Sequence, residues 1–327
     1  MNILVTGGAG YIGSHAARLL HRAGHEVWVY DNLACGHRRA CLTGRLIEGD
    51  LHNQTLLETV LRSRQIEAVM HFAAFAYVGE SVQYPHKYYR NNVVGSLSLL
   101  EAMRAAEVRK IVFSSTTATY GVADKLPISE DQRQDPINPY GFSKLVVERA
   151  LADYSHAYGL GYAALRYFNA AGASPDGDIG EDHSPETHLI PLVLDVALGK
   201  RPHITVFGTD YPTPDGTCIR DYIHVDDLGD AHVKALERIE PGTSLKMNLG
   251  TGRGTSVQEL IDACRAITGH AIPSLPGERR PGDPPELVAD PSLAGRLLGW
   301  EPRYTNIEGI VATAWGWHRA HPNGYAD

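Results

Sequence analysis

Cysteine is scarce in this chain. Cys35, Cys41, Cys218 and Cys264 are scattered over 327 positions, with no CxxC pair and no Cys/His spacing of a zinc site. That argues against a disulfide scaffold, fits a reducing compartment and leaves no metal expected. An excess of positive charge is also lacking: 30 Lys and Arg against 38 Asp and Glu give a formal charge of -8. Holding nucleic acid by phosphate neutralisation needs a concentrated basic surface, so no nucleic-acid partner is expected. No apolar run reaches the roughly 18 residues of a membrane span. Met1 leads at once into Ile3-Leu4-Val5, with no leader-like stretch before them. A soluble, cytoplasmic protein with no membrane partner is the expectation. Internal repeats, heptads and low-complexity tracts are missing too.

What is present is an alternation of short apolar runs with longer amphipathic ones, the pattern of a mostly parallel sheet with helices on both faces. Strands are expected near 2–5, 26–30, 45–48, 67–71, 109–113 and 162–167, and helices near 12–23, 53–63, 90–106 and 139–157. After Phe168 the texture changes to a loop punctuated by Gly172, Pro175, Gly177, Gly180 and Pro185. The expected organisation is a nucleotide-binding domain over 1–168, with re-entry around 220–250, and a smaller, mainly C-terminal substrate domain over 169–327. Ser256 with Glu259 three residues on predicts a capped helix over 256–267, and 307–319 reads as a closing helix. The interval 273–285 reads as loop.

The first strand runs into Gly7, Gly10 and Gly13, spaced G-x-x-G-x-x-G. Small residues there let backbone N–H groups approach a pyrophosphate, with the positive end of the next helix aimed at the anion. The second strand ends at Asp31, where a carboxylate can accept both ribose hydroxyls and would repel a 2′-phosphate, favouring NAD over NADP. Asp50 after the next strand suits either an adenine contact or a helix cap. Together these predict an α/β, Rossmann-type doubly wound sheet that binds NAD.

In Asn138-Pro-Tyr-Gly-Phe-Ser-Lys144, Pro139 can open a helix, which sets Tyr140 and Lys144 one turn apart on one face. A phenol with a pKa near 10 is a poor proton acceptor at neutral pH. An adjacent ammonium and a cationic nicotinamide would lower it, making Tyr140 a base. Thr116 follows a strand on the side where parallel sheets bind ligands, and can exchange a hydrogen bond with a sugar hydroxyl.

Thr6-Gly-Gly-Ala-Gly-Tyr-Ile-Gly13, His71-Phe-Ala-Ala74, Tyr88-Tyr-Arg-Asn-Asn92, Asn138 to Lys144 and Arg166-Tyr-Phe-Asn169, in that order, resemble the extended short-chain dehydrogenase/reductase family. Gly208-Thr-Asp-Tyr211 and Asp215 to Val225 are similar to its members that epimerise UDP-sugars at C4. The resemblance covers nearly the whole chain. It implies NAD contacts at Gly7, Gly10, Tyr11, Ile12, Gly13, Asp31, Asn32, Asp50, Leu51, Phe72, Ala73, Ala74, Asn92, Ser114, Tyr140, Lys144 and Tyr167. It implies catalysis by Tyr140, Lys144 and Thr116, and UDP-sugar binding by Thr116, Asn169, His188, Leu189, Phe207, Arg220, Arg280 and Asp283. The implied reaction is reversible C4 epimerisation of UDP-glucose and UDP-galactose, through a 4-keto sugar and transient NADH. A homodimer built through the helices near 90–106 and 139–157 is implied as well.

Three positions depart from the family pattern. Ala76 stands where many members have a lysine near the cofactor phosphates, His188 where an asparagine often contacts substrate, and Leu287 where side-chain size goes with the sugar accepted. Phe75 to Ser81 with Gly208 to Tyr211 also resembles enzymes acting on UDP-arabinose, so UDP-xylose/UDP-arabinose or broad UDP-sugar epimerisation stays open. So does a non-catalytic NAD sensor, against which the intact Tyr140, Lys144 and Thr116 speak.

Overall fold

The computed structural model describes residues 1–280 and 283–326, so Pro281 and Gly282 of the expected 273–285 loop lie outside the described residues. Seven strands form one parallel sheet. The first six are β1 (Asn2–Thr6), β2 (Glu26–Asp31), β3 (Leu46–Glu48), β4 (Ala68–His71), β5 (Lys110–Ser114) and β6 (Gly161–Tyr167). The chain leaves through β7 (Asn169–Ala171), β8 (Ile204–Phe207), β9 (Ile219–Arg220) and β10 (Tyr222–His224), then returns as β11 (Ser244–Leu249). The order in the sheet is β11-β6-β5-β4-β1-β2-β3, so the strand order reverses between β1 and β4, where a crevice opens at the carboxyl ends.

Both faces of this sheet are covered, which is why its strands read as near-continuous apolar runs. One face buries Ala16, Ala17 and Leu20 of α1 (Tyr11–Arg22) with Val5, Val29 and Met70. The other carries α2 (Gln54–Ser63), then two short helices, α3 (Val78–Gln83) and α4 (Pro85–Tyr88), a π-turn over Tyr89–Val94, α5 (Gly95–Ala105) and α6 (Pro139–Tyr158). Leu57, Leu99, Met103, Val147 and Leu151 pack there against Leu4, Val69 and Ile111. The expected helix over 90–106 is thus interrupted, because its first turn is π-helical around buried Asn92.

The second cluster of elements packs α7 (Leu189–Ala197), α9 (Val257–Thr268) and α11 (Ile307–Ala320) around Ile190, Leu194, Ile261 and Ile310. Between α7 and α9 runs α8 (Val225–Arg238), which lies against α1 on the large sheet, with α10 (Ser292–Leu298) beside it. The short strand β12 (Thr255–Ser256) leads into α9, whose capping box Ser256 and Glu259 close reciprocally. One expectation fails: Ser274–Gly277, read as loop, is strand β13, paired in parallel with β8. Among the described residues its only partner is β8, so it is an edge strand, where the missing N–H of Pro276 is tolerated. Among the described residues no helix is long and apolar enough to cross a membrane.

Candidate active site

The cradle is built where the sheet order reverses. Gly7 has φ +72°, and a Cβ there would stand 2.5 Å from the Ala73 amide nitrogen, which itself donates to the Thr6 carbonyl at 3.1 Å. A Cβ on Gly13 would meet the Gly7 carbonyl at 2.2 Å. Only glycine therefore lets the β1–α1 turn close under β4 and lets α1 start against the loop. Gly10 is the N-terminal flank of α1 and makes no side-chain cap, which leaves the helix N-terminus as an anion site. Asp31 is buried, and accepts from the Ala9 amide at 3.0 Å and the Leu33 amide at 2.8 Å. Burial holds its carboxyl above the usual range despite those bonds.

Around this turn, Asn32 donates to Asp50 at 2.9 Å, and Asp50 also accepts from the His52 amide at 2.9 Å, so it caps its own turn. Leu51 is buried beside them, while Ile12 packs into the core beneath. Phe72 lies 4.8 Å from the His232 ring, with Ala73 and Ala74 following on the loop from β4. Tyr11 donates its hydroxyl to the Gly172 carbonyl at 2.6 Å, tying the glycine loop to the segment after β7. These residues, with a turn no Cβ can enter and a carboxylate at the end of β2, fit a dinucleotide.

Tyr140 and Lys144 come from the first turns of α6. Asn138 caps that helix by accepting from the Gly141 amide at 2.8 Å, and Pro139 occupies its first position. Thr116, two residues beyond β5, accepts from the Ala118 amide at 3.1 Å and stands close enough to the Tyr140 phenol to lower its pKa. Lys144 is 3% exposed and donates to the Ser114 carbonyl at 2.8 Å, with its ammonium 4.9 Å from the Phe113 ring. Ser114 and Tyr167 share a hydroxyl–hydroxyl bond of 2.5 Å.

The protein groups by themselves do not supply the expected lowering of the Tyr140 phenol. Burial raises it above its ordinary value, with only Thr116 opposing the rise. Burial also pushes Lys144 down to about 7, against the pull of Glu148. The lysine spends one of its three N–H donors on Ser114, which leaves the others for a ligand. Alone, it does not make the phenol acidic, because desolvation penalises both charged forms.

Two groups hold this constellation: Asn92, expected at the cofactor, and Glu148, which sequence reasoning missed. Asn92 has its whole amide engaged: Nδ2 donates to the Phe75 carbonyl and to Ser143 Oγ, and Oδ1 accepts from the Phe75 and Asn91 nitrogens. It braces the β4 loop against α6. Glu148, one turn beyond Lys144 on the same face, takes a bidentate bond from Arg166 at 2.9 and 2.6 Å and accepts from Ser115 at 2.5 Å. The Tyr140, Lys144, Glu148 spacing of four was the signal available for it.

The residues expected at the sugar nucleotide lie on the other side of the crevice. Asn169 opens β7, paired with Tyr222. His188 precedes Leu189 at the start of α7, and its Nδ1 stands 2.9 Å from Glu186. Arg220 donates to Asp283 at 2.5 Å and to the Ile219 carbonyl at 2.6 Å. Arg280 stacks on Phe207 at 4.4 Å, and Phe207 is 42% exposed, an apolar platform left open. Leu287 sits opposite Arg220 where β14 (Glu286–Leu287) pairs with β9. Beside Ala76, a cation does stand over Phe75: Lys87, at 4.2 Å, paired with Glu80 at 2.6 Å.

The chain is similar to known proteins over its full length. It is 52% identical over 327 residues to a UDP-glucose 4-epimerase of Halalkalibacterium halodurans, covering 100% of this chain and 98% of the relative. Among solved structures, the UDP-glucose 4-epimerase from Brucella ovis in complex with NAD superposes with a TM-score of 0.94 at 53% identity, over 96% of this chain and 97% of that one. The UDP-glucose-4-epimerase from Stenotrophomonas maltophila, with bound NAD and formylated UDP-arabinopyranose, superposes with a TM-score of 0.94 at 43% identity, over 98% and 99%. The sequence profile described as the NAD dependent epimerase/dehydratase family matches residues 3–250. Glycine turn, Asp31 and the Tyr140/Lys144 helix all fall inside that match, and the chain belongs to the NAD dependent epimerase/dehydratase family.

Proposed function

We infer that this chain is a NAD-dependent UDP-glucose 4-epimerase, interconverting UDP-glucose and UDP-galactose by reversible inversion at C4. The observation that carries this is full-length similarity, at about half identity, to enzymes of that activity, on a site that keeps Tyr140, Thr116 and Lys144 at the mouth of a dinucleotide cradle.

Bound NAD supplies a hydride acceptor and donor for C4 and a positive charge beside the phenol. Tyr140 takes the proton of the C4 hydroxyl and later returns it. Thr116, beside Tyr140, orients that hydroxyl. Lys144, anchored on Ser114, holds the nicotinamide ribose and adds its share of positive charge. Asp31 accepts the adenosine ribose hydroxyls. The guanidinium forks of Arg220 and Arg280 suit the diphosphate, and Asp283 the uridine side. With the nucleotide clamped and the sugar held more loosely, the 4-keto sugar can turn its other face before the hydride returns.

The test is conversion of each hexose nucleotide into the other by protein saturated with NAD, followed by product separation, with no net consumption of cofactor. Failure to convert either one would refute the assignment. A pentose reading is favoured by one observation, the 43% identical structure that holds a formylated UDP-arabinopyranose. Assaying UDP-xylose and UDP-arabinose beside the hexoses and their N-acetyl forms decides it.

We further propose a domain division at Phe168/Asn169, with β11 and α8 returning to the nucleotide-binding domain. A homodimer through α5 and α6 is supported by exposed Tyr89, Val94 and Phe142 and by a cavity of about 230 Å³ between Leu100, Met103, Tyr154 and Tyr158 on the same helix pair. Light scattering showing a monomer would refute it. The four free cysteines support a cytoplasmic location.

A further inference from the structure

At the edge of the sugar-nucleotide side of the crevice, the loop between β7 and α7 gathers two carboxylates and two imidazoles, one of which, His188, is also expected at the substrate. Glu181, His183, Glu186 and His188 each offer one ligand atom, and those atoms all lie within 4.8 Å of one another. The separations are 3.0 Å from Glu181 to His188 Nδ1, 3.3 Å from Glu181 to His183 Nδ1, 2.9 Å from Glu186 Oε1 to His188 Nδ1 and 3.6 Å from Glu186 Oε2 to His183 Nδ1. A tetrahedral ion with Zn–N and Zn–O bonds of about 2.0–2.2 Å sets its ligand atoms about 3.3–3.6 Å apart. The two His183 separations match that edge, and the two His188 ones need to open by a few tenths of an ångström, with His188 exchanging its hydrogen bond with Glu186 for the ion.

Orientation adds a second, independent observation. Glu181 is 4% exposed, yet its Oε1 makes no hydrogen bond, and neither does the buried His183 Nδ1, although the two atoms are 3.3 Å apart. Donor and acceptor are near each other without aiming at each other, as ligand atoms are when they converge on a common centre. A buried polar group left in this way is destabilising unless something satisfies it.

We propose that Glu181, His183, Glu186 and His188 form a closed structural site for a divalent transition cation, zinc by preference. Two imidazoles select a first-row transition ion over magnesium or calcium, whose sites are built from oxygen. Four protein ligands leave no open position, so the ion's task is to fasten the segment after β7 to the start of α7. His183 meets Tyr11 edge-on at 6.1 Å and Tyr77 at 6.2 Å, so the same ion would brace the glycine turn and the β4 loop. The 39% exposed side chain of His188 offers an entry path.

The test uses untagged, full-length protein stripped with chelator and dialysed against zinc chloride, with magnesium chloride in parallel. Expected is one zinc per chain by elemental analysis, retained through gel filtration, with a rise in Tm that magnesium does not produce. His183→Gln and His188→Gln should each weaken zinc binding tenfold or more and abolish the Tm rise. Cobalt chloride should give the intense visible bands of a tetrahedral complex with no sulfur charge-transfer band. If the variants do not fold, that cobalt spectrum and the X-ray absorption shell of the wild-type zinc protein decide, with nitrogen and oxygen neighbours only. No zinc retained, zinc bound equally by the variants, equal binding of magnesium, or sulfur in the shell would each overturn the proposal.

Discussion

Replacing Glu148 by Gln should both destabilise the protein and shift its pH profile. Glu148 and Arg166 are 1% and 2% exposed and joined by two bonds, with Arg166 also donating to the Tyr120 hydroxyl at 2.7 Å. Burial raises the Glu148 carboxyl, but the Arg166 guanidinium more than offsets that and holds it below its ordinary range. The glutamine keeps the volume and removes the charge, leaving a guanidinium buried between α6 and β6 with an amide N–H set against its own. Breaking a buried pair from one side costs about 3–5 kcal/mol. With an unfolding entropy near 2.1 cal/mol/K per residue over this chain, that is a fall in Tm of about 4–7 °C. The double variant Glu148→Leu/Arg166→Met removes both charges and should lose much less than the single change. The second readout is kinetic. Glu148 raises the Lys144 pKa, so Glu148→Gln should move the alkaline limb of the activity profile to lower pH. Calorimetry with a pH–rate profile checks both. A loss below about 1 kcal/mol would mean the pair behaves as a solvated surface bridge, and the reasoning would be wrong.

Tyr140→Phe keeps the ring and removes the proton acceptor, so turnover should fall by about 10²–10⁴ with UDP affinity unchanged, measured by product assay beside calorimetric titration. Lys144→Met should flatten the dependence of stability on pH. The lysine titrates near 7 folded against 10.5 ordinarily; between those values the unfolded chain binds more protons, so this group makes stability rise with pH, and denaturant midpoints from pH 7 to 10 should rise more steeply in the wild type. Asp31→Asn should weaken NAD binding tenfold or more, read by titration, because one amide cannot accept from Ala9 and Leu33 and still receive two ribose hydroxyls. Asn92→Ala should lower NAD retention and Tm together, since it frees the Phe75 loop from Ser143. Unchanged retention would refute that brace.

The sequence alone determined the fold class and the cofactor, because both rest on local order along the chain: an apolar strand, glycines spaced by three, a helix, then a strand ending in Asp31. Backbone sterics and strand periodicity act between near neighbours, so residues 2–31 contain everything that argument needs. Tyr140 and Lys144 were legible in the same way, through helical spacing. How those side chains spend their hydrogen bonds was not. Lys144 turns to Ser114, and Asn92 is consumed by Phe75, Asn91 and Ser143, contacts that exist only once the sheet brings β4, β5 and α6 together. The sign of the Tyr140 shift was decided by burial, which no spacing encodes. Pro276 marked a loop in the sequence, but pairing with β8 made it an edge strand. Glu181 to His188 read as polar loop, with no metal expected, because that stretch holds no cysteine. Only the fold, curling that segment back toward Tyr11 and Tyr77, brings the four ligand atoms within 4.8 Å of one another.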